Sequence, residues 1–248
     1  MQTTGRLPMK KLLLILLLMM LSLGVNAKSD CEECVTEEIA YLQLTENNTV
    51  TLKGAVTFNS VSNVGKELLQ LSAKTRIDSE IYLILDSPGG SIYAGMSFIN
   101  LMQSIPQKVH CVAKFAASMA HSILQACPGN RYISKGDGVI MIHRARGGFF
   151  GQFNNGEVES QLKLWKNIVS DLEKANSARM DYSLKNYRKR SKDEWWCSNE
   201  RCIKERFVDS AVYLRCSSKL IAKRYKINKK YYYSGCPLIP GHFKYEYY

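Results

Sequence analysis

The chain has 248 residues, of which 46% are hydrophobic, so it is long enough to bury one sizeable core. This length fits one α/β domain with appendages, and we expect a single catalytic domain rather than several. The formal net charge of +12 is concentrated after residue 210, so it characterises the end of the chain and not the whole domain.

Residues 1–27 have the pattern of an export signal. Lys10 and Lys11 precede an apolar run over residues 12–21, and the small residues that end at Ala27 offer a cleavage site. An uncleaved anchor is the alternative, although the run is short for a membrane span of about 20 residues. We therefore expect an exported protein, either periplasmic or secreted.

All eight cysteines follow the predicted signal, and their even number suits an oxidising compartment. Connectivity does not follow from sequence, but the natural pairs are Cys31 with Cys34, Cys197 with Cys202, and Cys216 with Cys236. The first pair is also a CxxC motif of the kind found in redox and zinc sites. The sequence offers neither the βαβ context nor the second nearby pair that those sites need, so we favour a structural disulfide.

Strand-like and helix-like segments alternate once the chain leaves a short polar lead-in, which we assign to residues 28–48. The predicted segments are a strand at 49–58, a helix at 61–71, a buried strand at 81–85, a helix ending near 106, a strand at 109–113, a helix at 118–126, and strands at 132–133 and 139–142. This alternation predicts a parallel sheet with ligand chemistry at the carboxyl ends of its strands.

A long amphipathic helix is predicted over residues 156–178. Its apolar residues recur at spacings of three and four and form one seam, which comprises Val158, Leu162, Trp165, Val169 and Leu172. Such a seam suits packing either on another chain or on the helix's own domain, and periodicity alone leaves both open.

The last segment, residues 213–248, is basic and rich in tyrosine. Such a tail is able to touch nucleic acid or an anionic lipid surface. Because an exported protein seldom meets nucleic acid, we expect no nucleic-acid partner. We favour an extension that is solvated or associated with the anionic surface of the cell envelope.

Three short motifs carry candidate catalytic groups, since amide hydrolysis needs a nucleophile, a base and donors for the oxyanion. Ser118 lies among small residues between a predicted strand and a predicted helix, where a helix N-cap serine is also common. His143 ends a predicted strand and faces the same rim of the sheet. Gly89 and Gly90 follow another strand and let the backbone approach a substrate closely.

Together these motifs resemble the proteolytic subunit of the Clp protease. The resemblance runs from about residue 50 to residue 210 and rests on four segments, which are Ile81–Met96, Ala116–Met119, Met141–Gly148 and Phe207–Ser210. The spacing between Ser118 and His143 is also the usual one in that family. The resemblance implies an α/β fold of the Clp/crotonase type, built from repeated ββα units with a projecting long helix, over residues 49–212.

The resemblance also assigns roles to individual residues. It implies that Ser118 attacks the substrate carbonyl, that His143 is the general base, and that the N–H groups of Gly90 and Met119 hold the oxyanion. It implies no metal and no cofactor.

The acid of the triad is less directly placed by the resemblance. Counting back without gaps from the Val-Asp-Ser segment at residues 208–210 puts Glu194 where the family has its aspartate. Asp193 is one residue away, and a shift of one residue in this loop would restore an aspartate at that place. Both carboxylates therefore remain candidates.

This sequence departs from the family pattern at several points. Lys114 and Ala120 replace glycines near the serine, and only the short lead-in precedes the domain, so the axial loops that meet an ATP-driven unfoldase look absent. No ATP is present outside the cytoplasm to drive such a partner. We expect unassisted cleavage of peptides or unfolded proteins, by a homo-oligomer whose rings assemble through the long helix.

Two alternatives stay open at the level of sequence. One is a peptidase with a Ser-Lys dyad, using Lys114 or Lys135, although the match of His143 to the triad base argues against it. The other is an inactive scaffold that keeps the fold and binds envelope partners through the basic tail.

Overall fold

The computed structural model describes residues 41–147, 151–152, 154–227 and 230–238, with side chains described outside 224–227 and 230–233. The expected signal peptide and the Cys31/Cys34 pair lie outside these residues. Within the described ranges, no helix is both long enough and apolar enough to cross a membrane.

Ten strands and seven helices are present in the described part of the chain. The strands are β1 (Tyr41–Leu44), β2 (Thr49–Lys53), β3 (Glu80–Ser87), β4 (Lys108–Ala117), β5 (Arg131–Ser134), β6 (Val139–His143), β7 (Glu194–Ser198), β8 (Ser210–Cys216), β9 (Arg224–Ile227) and β10 (Lys230–Tyr233). The helices are α1 (Phe58–Lys74), α2 (Ile92–Ser104), α3 (Met119–Gln125), α4 (Asn155–Arg179), α5 (Leu184–Arg190), α6 (Asn199–Lys204) and α7 (Ser218–Ala222).

Eight of these strands form one sheet, in which six follow the order β1-β8-β5-β4-β3-β2, β6 pairs with β4, and β7 pairs with β6. β9 and β10 form a separate hairpin. β4 is long enough to pair with β5 through residues 111–113 and with β6 through residues 115–117. All pairings in the large sheet are parallel except that of β6 with β7. The predicted α/β class is therefore confirmed.

The sheet is covered on both faces, which explains why its central strands read as continuous apolar runs. The larger cluster of buried side chains lies between the sheet and helices such as α1, whose Val61, Val64, Leu68 and Leu71 face inward at the predicted spacing. The smaller cluster joins β1, β3, β4 and β8 to Leu220 of α7.

The predicted domain boundaries were too narrow at both ends. The lead-in assigned to residues 28–48 contains β1, which pairs in parallel with β8 and buries Leu42 and Leu44. The boundary at 212 cuts through β8. A four-residue strand at the end of a polar stretch gives too few alternations to be recognised, which is the physical reason for the first error.

The tail after β8 returns to the sheet instead of leaving it. Leu220 of α7 is buried, and the buried ammonium of Lys114 donates a 2.7 Å hydrogen bond to the carbonyl oxygen of Pro237. The predicted extension is thus packed on the domain at α7 and at Pro237.

Three cysteine pairs have their sulfur atoms at bonding distance. The Sγ–Sγ distances are 2.07 Å for Cys197 and Cys202, 1.98 Å for Cys216 and Cys236, and 2.09 Å for Cys111 and Cys127. The third pair was not anticipated, because its cysteines lie in different elements and only the fold brings β4 next to the end of α3.

The long helix α4 begins with a capping box in which Asn154 and Glu157 exchange hydrogen bonds between side chain and backbone. The two halves of its apolar seam differ in burial. Val158 and Leu162 are 40% and 38% exposed, whereas Leu172 packs against the larger core cluster. The end of the helix therefore covers its own domain, and its beginning presents an uncovered apolar stripe.

Candidate active site

Ser118 occupies a sharp turn between β4 and α3. Its φ of 54° is positive, which is unusual for a residue with a side chain, and costs energy that the surrounding structure must supply. The Ser118 N–H donates to the carbonyl oxygen of Met141 in β6 at 2.9 Å, which ties the turn to the neighbouring strand. The Ser118 hydroxyl makes no capping hydrogen bond to the helix, so this side chain does not act as an N-cap.

The glycine loop after β3 packs directly against this turn. A Cβ on Gly89 would lie 2.5 Å from the carbonyl oxygen of Ala117 and 2.7 Å from the Met119 nitrogen, and φ there is +91°. Gly90, with φ of +146°, lies equally close to the backbone of Val56. Only glycine permits both contacts, so the loop and the serine turn form one tightly packed unit.

Two backbone N–H groups in this unit are available as donors. Met119 is the first residue of α3, so its N–H has no acceptor within the helix. Among the described residues, neither the Met119 N–H nor the Gly90 N–H donates a hydrogen bond. These are the two groups that sequence analysis assigned to the oxyanion.

His143 ends β6 and is half-buried. It lines a cavity of about 90 Å³ together with Ser118, Gly90 and Met119, so the structure brings four of the predicted site residues around one space. Its Nδ1 lies 2.7 Å from the carbonyl oxygen of the adjacent Arg144. Because a carbonyl oxygen can only accept a hydrogen bond, Nδ1 carries the proton, and Nε2 is left as the basic nitrogen.

The two candidate acids differ in their placement. Glu194 begins β7 and lies directly opposite His143 in the antiparallel β6–β7 pair, where Cβ atoms are typically about 5 Å apart on the same face. Its carboxylate, however, accepts a 2.8 Å hydrogen bond from the Trp196 indole. Asp193 precedes the strand and is exposed. The register favours Glu194, but neither carboxylate bonds the imidazole.

The two lysines considered for a dyad are both engaged away from the serine. Lys114 donates to Pro237, and Lys135 lies 5.1 Å from the centre of the Tyr213 ring. Neither lysine lines the cavity beside Ser118. This arrangement gives no support to a Ser-Lys dyad.

A buried polar network beside Ser118 was not anticipated from the sequence. Asn176 of α4 donates through Nδ2 to the hydroxyl of Ser122 at 2.9 Å and to that of Tyr187 at 3.3 Å. All three residues line the same cavity as Ser118. Ser122 lies one helical turn after the nucleophile, and that spacing was a signal available in the sequence.

A second buried group, His121, lies behind the serine turn. It is fully buried with its ring against Phe207, and neither ring nitrogen has a hydrogen-bond partner among the described residues. Burial first, and the nearby charge of Arg131 second, lower the pKa of His121 to about 3. The imidazole is therefore neutral at all ordinary pH values and does not exchange protons with a substrate.

Asp209, which belongs to the Val-Asp-Ser segment, has a structural role. Burial raises the pKa of Asp209, but hydrogen bonds from Arg131 outweigh it and leave the pKa below its usual value. The pair joins β5 to the start of β8 at 2.6 Å, and Arg131 also contacts the Gln125 amide of α3. This ion pair therefore stabilises the sheet and has no part in the predicted chemistry.

This chain combines a serine on a strained strand-to-helix turn, a histidine at the end of the neighbouring strand β6 and free backbone donors, which is an arrangement that α/β serine hydrolases use. The family model for Clp protease matches residues 33–214. The chain belongs to the Clp protease family.

Curated relatives agree at modest identity. The ATP-dependent Clp protease proteolytic subunit 2 of Synechococcus sp. (strain CC9605) is 29% identical over 173 residues, which cover 69% of this chain and 86% of that protein. The protein of the same name from Parasynechococcus marenigrum (strain WH8102) is 28% identical over 173 residues, with the same coverage. Subunit 1 from Prochlorococcus marinus (strain NATL2A) is 29% identical over 171 residues, or 68% of this chain and 86% of that protein.

Proposed function

We propose that this protein is a serine peptidase that hydrolyses peptides or unfolded proteins without ATP. Ser118 is the nucleophile, His143 its general base, and the Gly90 and Met119 N–H groups stabilise the oxyanion. Glu194 completes the triad and orients the imidazole, with Asp193 as the alternative acid.

The observation that carries this proposal is the strained turn at Ser118. A positive φ at a non-glycine residue persists only where neighbouring structure imposes it, and such residues concentrate at functional sites. Here the turn is held by a backbone hydrogen bond to β6 and by contact with Gly89. An N-cap serine would not need this geometry, whereas a nucleophile must be exposed at the top of the sheet.

We propose that the active form is a ring-shaped homo-oligomer. Proteolytic subunits of the Clp protease family form oligomeric rings and act on peptide substrates. The uncovered stripe at the start of α4 supports the same behaviour here, because apolar residues such as Val158 and Leu162 gain about 25 cal/mol per Å² of apolar surface when they are buried.

We propose an exported location, with residues 1–27 as signal peptide and with structural disulfides at the three pairs whose sulfurs approach bonding distance. Disulfides persist in oxidising compartments and are rare in the cytosol. Independence from an ATP-driven unfoldase belongs to the same proposal, because ATP is absent outside the cytoplasm.

The test is hydrolysis of unfolded casein by the mature protein without nucleotide, with the Ser118→Ala variant as control. We expect release of peptides by the wild type and none by the variant. Cleavage that requires ATP and a partner ATPase would contradict the unassisted mechanism. Absence of cleavage under either condition would contradict the peptidase function itself.

An inactive scaffold is the second candidate, and one observation favours it. His143 bonds its own loop and Glu194 bonds Trp196, so the base and the acid are not joined in the single chain. Such a scaffold would bind envelope partners, with the basic tail as the contact surface. Reaction of Ser118 with a serine-directed probe separates the two candidates, since a scaffold would not react.

A further inference from the structure

The cavity beside Ser118 has an unusual lower surface. Three buried side chains with polar ends line it, Ser122, Asn176 and Tyr187, and we call them the polar floor. They come from three different helices, α3, α4 and α5, and the Asn176 amide joins the other two by hydrogen bonds of 2.9 and 3.3 Å.

The polar floor keeps unused hydrogen-bonding capacity. The two hydroxyls accept from Asn176, but neither donates its own proton to any residue in the described ranges. The Asn176 Oδ1 likewise accepts no hydrogen bond from them. Each of the three residues is at most 3% exposed, so an apolar occupant that shuts out water would leave these polar groups without partners. The floor therefore favours an occupant that donates and accepts hydrogen bonds.

The floor itself carries no net charge, but Arg146 and Glu173 also line the cavity. The Glu173 carboxylate accepts a 2.7 Å hydrogen bond from the Arg188 guanidinium, which neutralises its charge. Burial raises the pKa of the Tyr187 hydroxyl, so it stays protonated and uncharged. A cationic side chain would therefore lose its hydration beside the Arg146 guanidinium without gaining an opposite charge.

Size restricts the occupant further. The cavity measures about 90 Å³, which suits a short side chain. Its walls are apolar and include Ile92, Ile142 and Leu172. A short side chain with an apolar stem and a hydroxyl or carboxamide end matches both the walls and the floor.

We infer that the polar floor selects the residue on the acyl side of the scissile bond, and that the protein prefers asparagine, threonine or serine there over leucine, lysine or arginine. This inference rests on the proposed peptidase function. The preference follows from geometry, because Ser122 lies one helical turn from Ser118 and its amide donates to the Ser118 carbonyl at 3.3 Å. A side chain next to the attacked carbonyl therefore reaches the floor.

The test uses internally quenched peptides that differ only at the acyl-side residue, with the cut position read by mass spectrometry. We expect kcat/KM to be about tenfold higher for asparagine or threonine than for leucine, since a site built for hydrogen bonds rejects analogues that lack them. Ser122→Ala should lower this ratio by roughly threefold to tenfold, the equivalent of one hydrogen bond. Ser122→Thr, which keeps the hydroxyl, should preserve the ratio.

Ser177→Ala is the matched control. Ser177 is a neighbouring buried serine whose hydroxyl donates to the Lys174 carbonyl and does not line the cavity, so the ratio should not change. Cleavage without preference, or with preference for leucine, lysine or arginine, would overturn the inference and leave the peptidase function standing. An unchanged ratio in Ser122→Ala would do the same. Failure to cleave any peptide would overturn the proposed function together with this inference.

Discussion

The two halves of the candidate site differ in how completely a single chain assembles them. The nucleophile half is fixed by backbone: the Ser118 N–H bonds β6, and Gly89 admits a contact that no Cβ would allow. The half that contains His143 and Glu194 depends on side-chain rotamers at an exposed edge, and both side chains bond elsewhere. Backbone geometry is thus preformed, whereas His143 and Glu194 are not hydrogen-bonded to each other in the single chain.

The long helix α4 would connect the proposed assembly to the half of the site that contains His143 and Glu194. The Trp165 ring packs so closely on Gly147 that a Cβ there would lie 2.6 Å from it, and Gly147 is in the loop that follows His143. The same helix carries the uncovered Val158 and Leu162. Burying the stripe against a second copy would therefore also constrain the loop that holds the imidazole.

The largest effect is expected from the reacting groups themselves. Ser118→Ala and His143→Ala should each lower kcat by about 10⁴-fold or more, because both remove the nucleophilic step. Both residues lie at the rim, so the circular dichroism spectrum and the oligomeric mass should stay those of the wild type. Substantial peptide hydrolysis by either variant would place the chemistry elsewhere.

The next largest effect is expected from the acid, in the half of the site that contains His143 and Glu194. Glu194→Gln should lower kcat by roughly 10³-fold, since an imidazole without its acid loses orientation and charge stabilisation. Asp193→Asn is the control and should stay within about twofold of the wild type. The opposite order would mean that β7 shifts by one residue in the active form.

The third largest effect is expected from substitutions that disrupt assembly. Leu162→Glu places a charge in the uncovered stripe and should convert the oligomer to smaller species in light scattering, with a loss of activity of about tenfold or more. Leu164→Glu is the matched control, because Leu164 is 54% exposed on the same helix but lies off the seam. A monodisperse, fully active wild-type monomer would contradict the dependence of the second half on assembly.

The smallest expected effect is on the pH dependence of stability, through His121 behind the serine turn. The folded-state pKa of His121, about 3, lies below its usual 6.5, so the unfolded chain binds more protons between these values. Its contribution to stability is complete above pH about 6.5 and decreases by about 1.4 kcal/mol per pH unit toward pH about 3. In urea unfolding, His121→Leu should lose less stability than the wild type on acidification. An equal loss of stability on acidification in His121→Leu and the wild type would contradict this prediction.

Sequence predicted the first half of the site better than the second. The motifs around Gly89 and Ser118 are local, and the turn they specify is fixed by residues a few positions apart. The placement of Glu194 depends on strand register, which sequence supplied only as an ungapped count, and its side-chain partner Trp196 was not foreseen. The polar floor joins three helices, so only the fold reveals it.

The same distinction explains the errors in domain organisation. The elements with several turns or alternations, such as α1 and α4, were found with nearly correct limits. β1 is four residues long and is defined by pairing with β8, about 170 residues away in sequence, a contact that no local pattern encodes. The Cys111/Cys127 proximity likewise exists only once β4 and α3 are packed together.

The most direct test of the central claim is to map the adduct of a fluorophosphonate probe on the purified mature protein by mass spectrometry, across the fractions of a sizing column. The account predicts a single adduct on Ser118, formed fastest in the oligomeric fractions and absent from Ser118→Ala and His143→Ala. No adduct on Ser118 in any assembly state would contradict the account and favour the inactive scaffold.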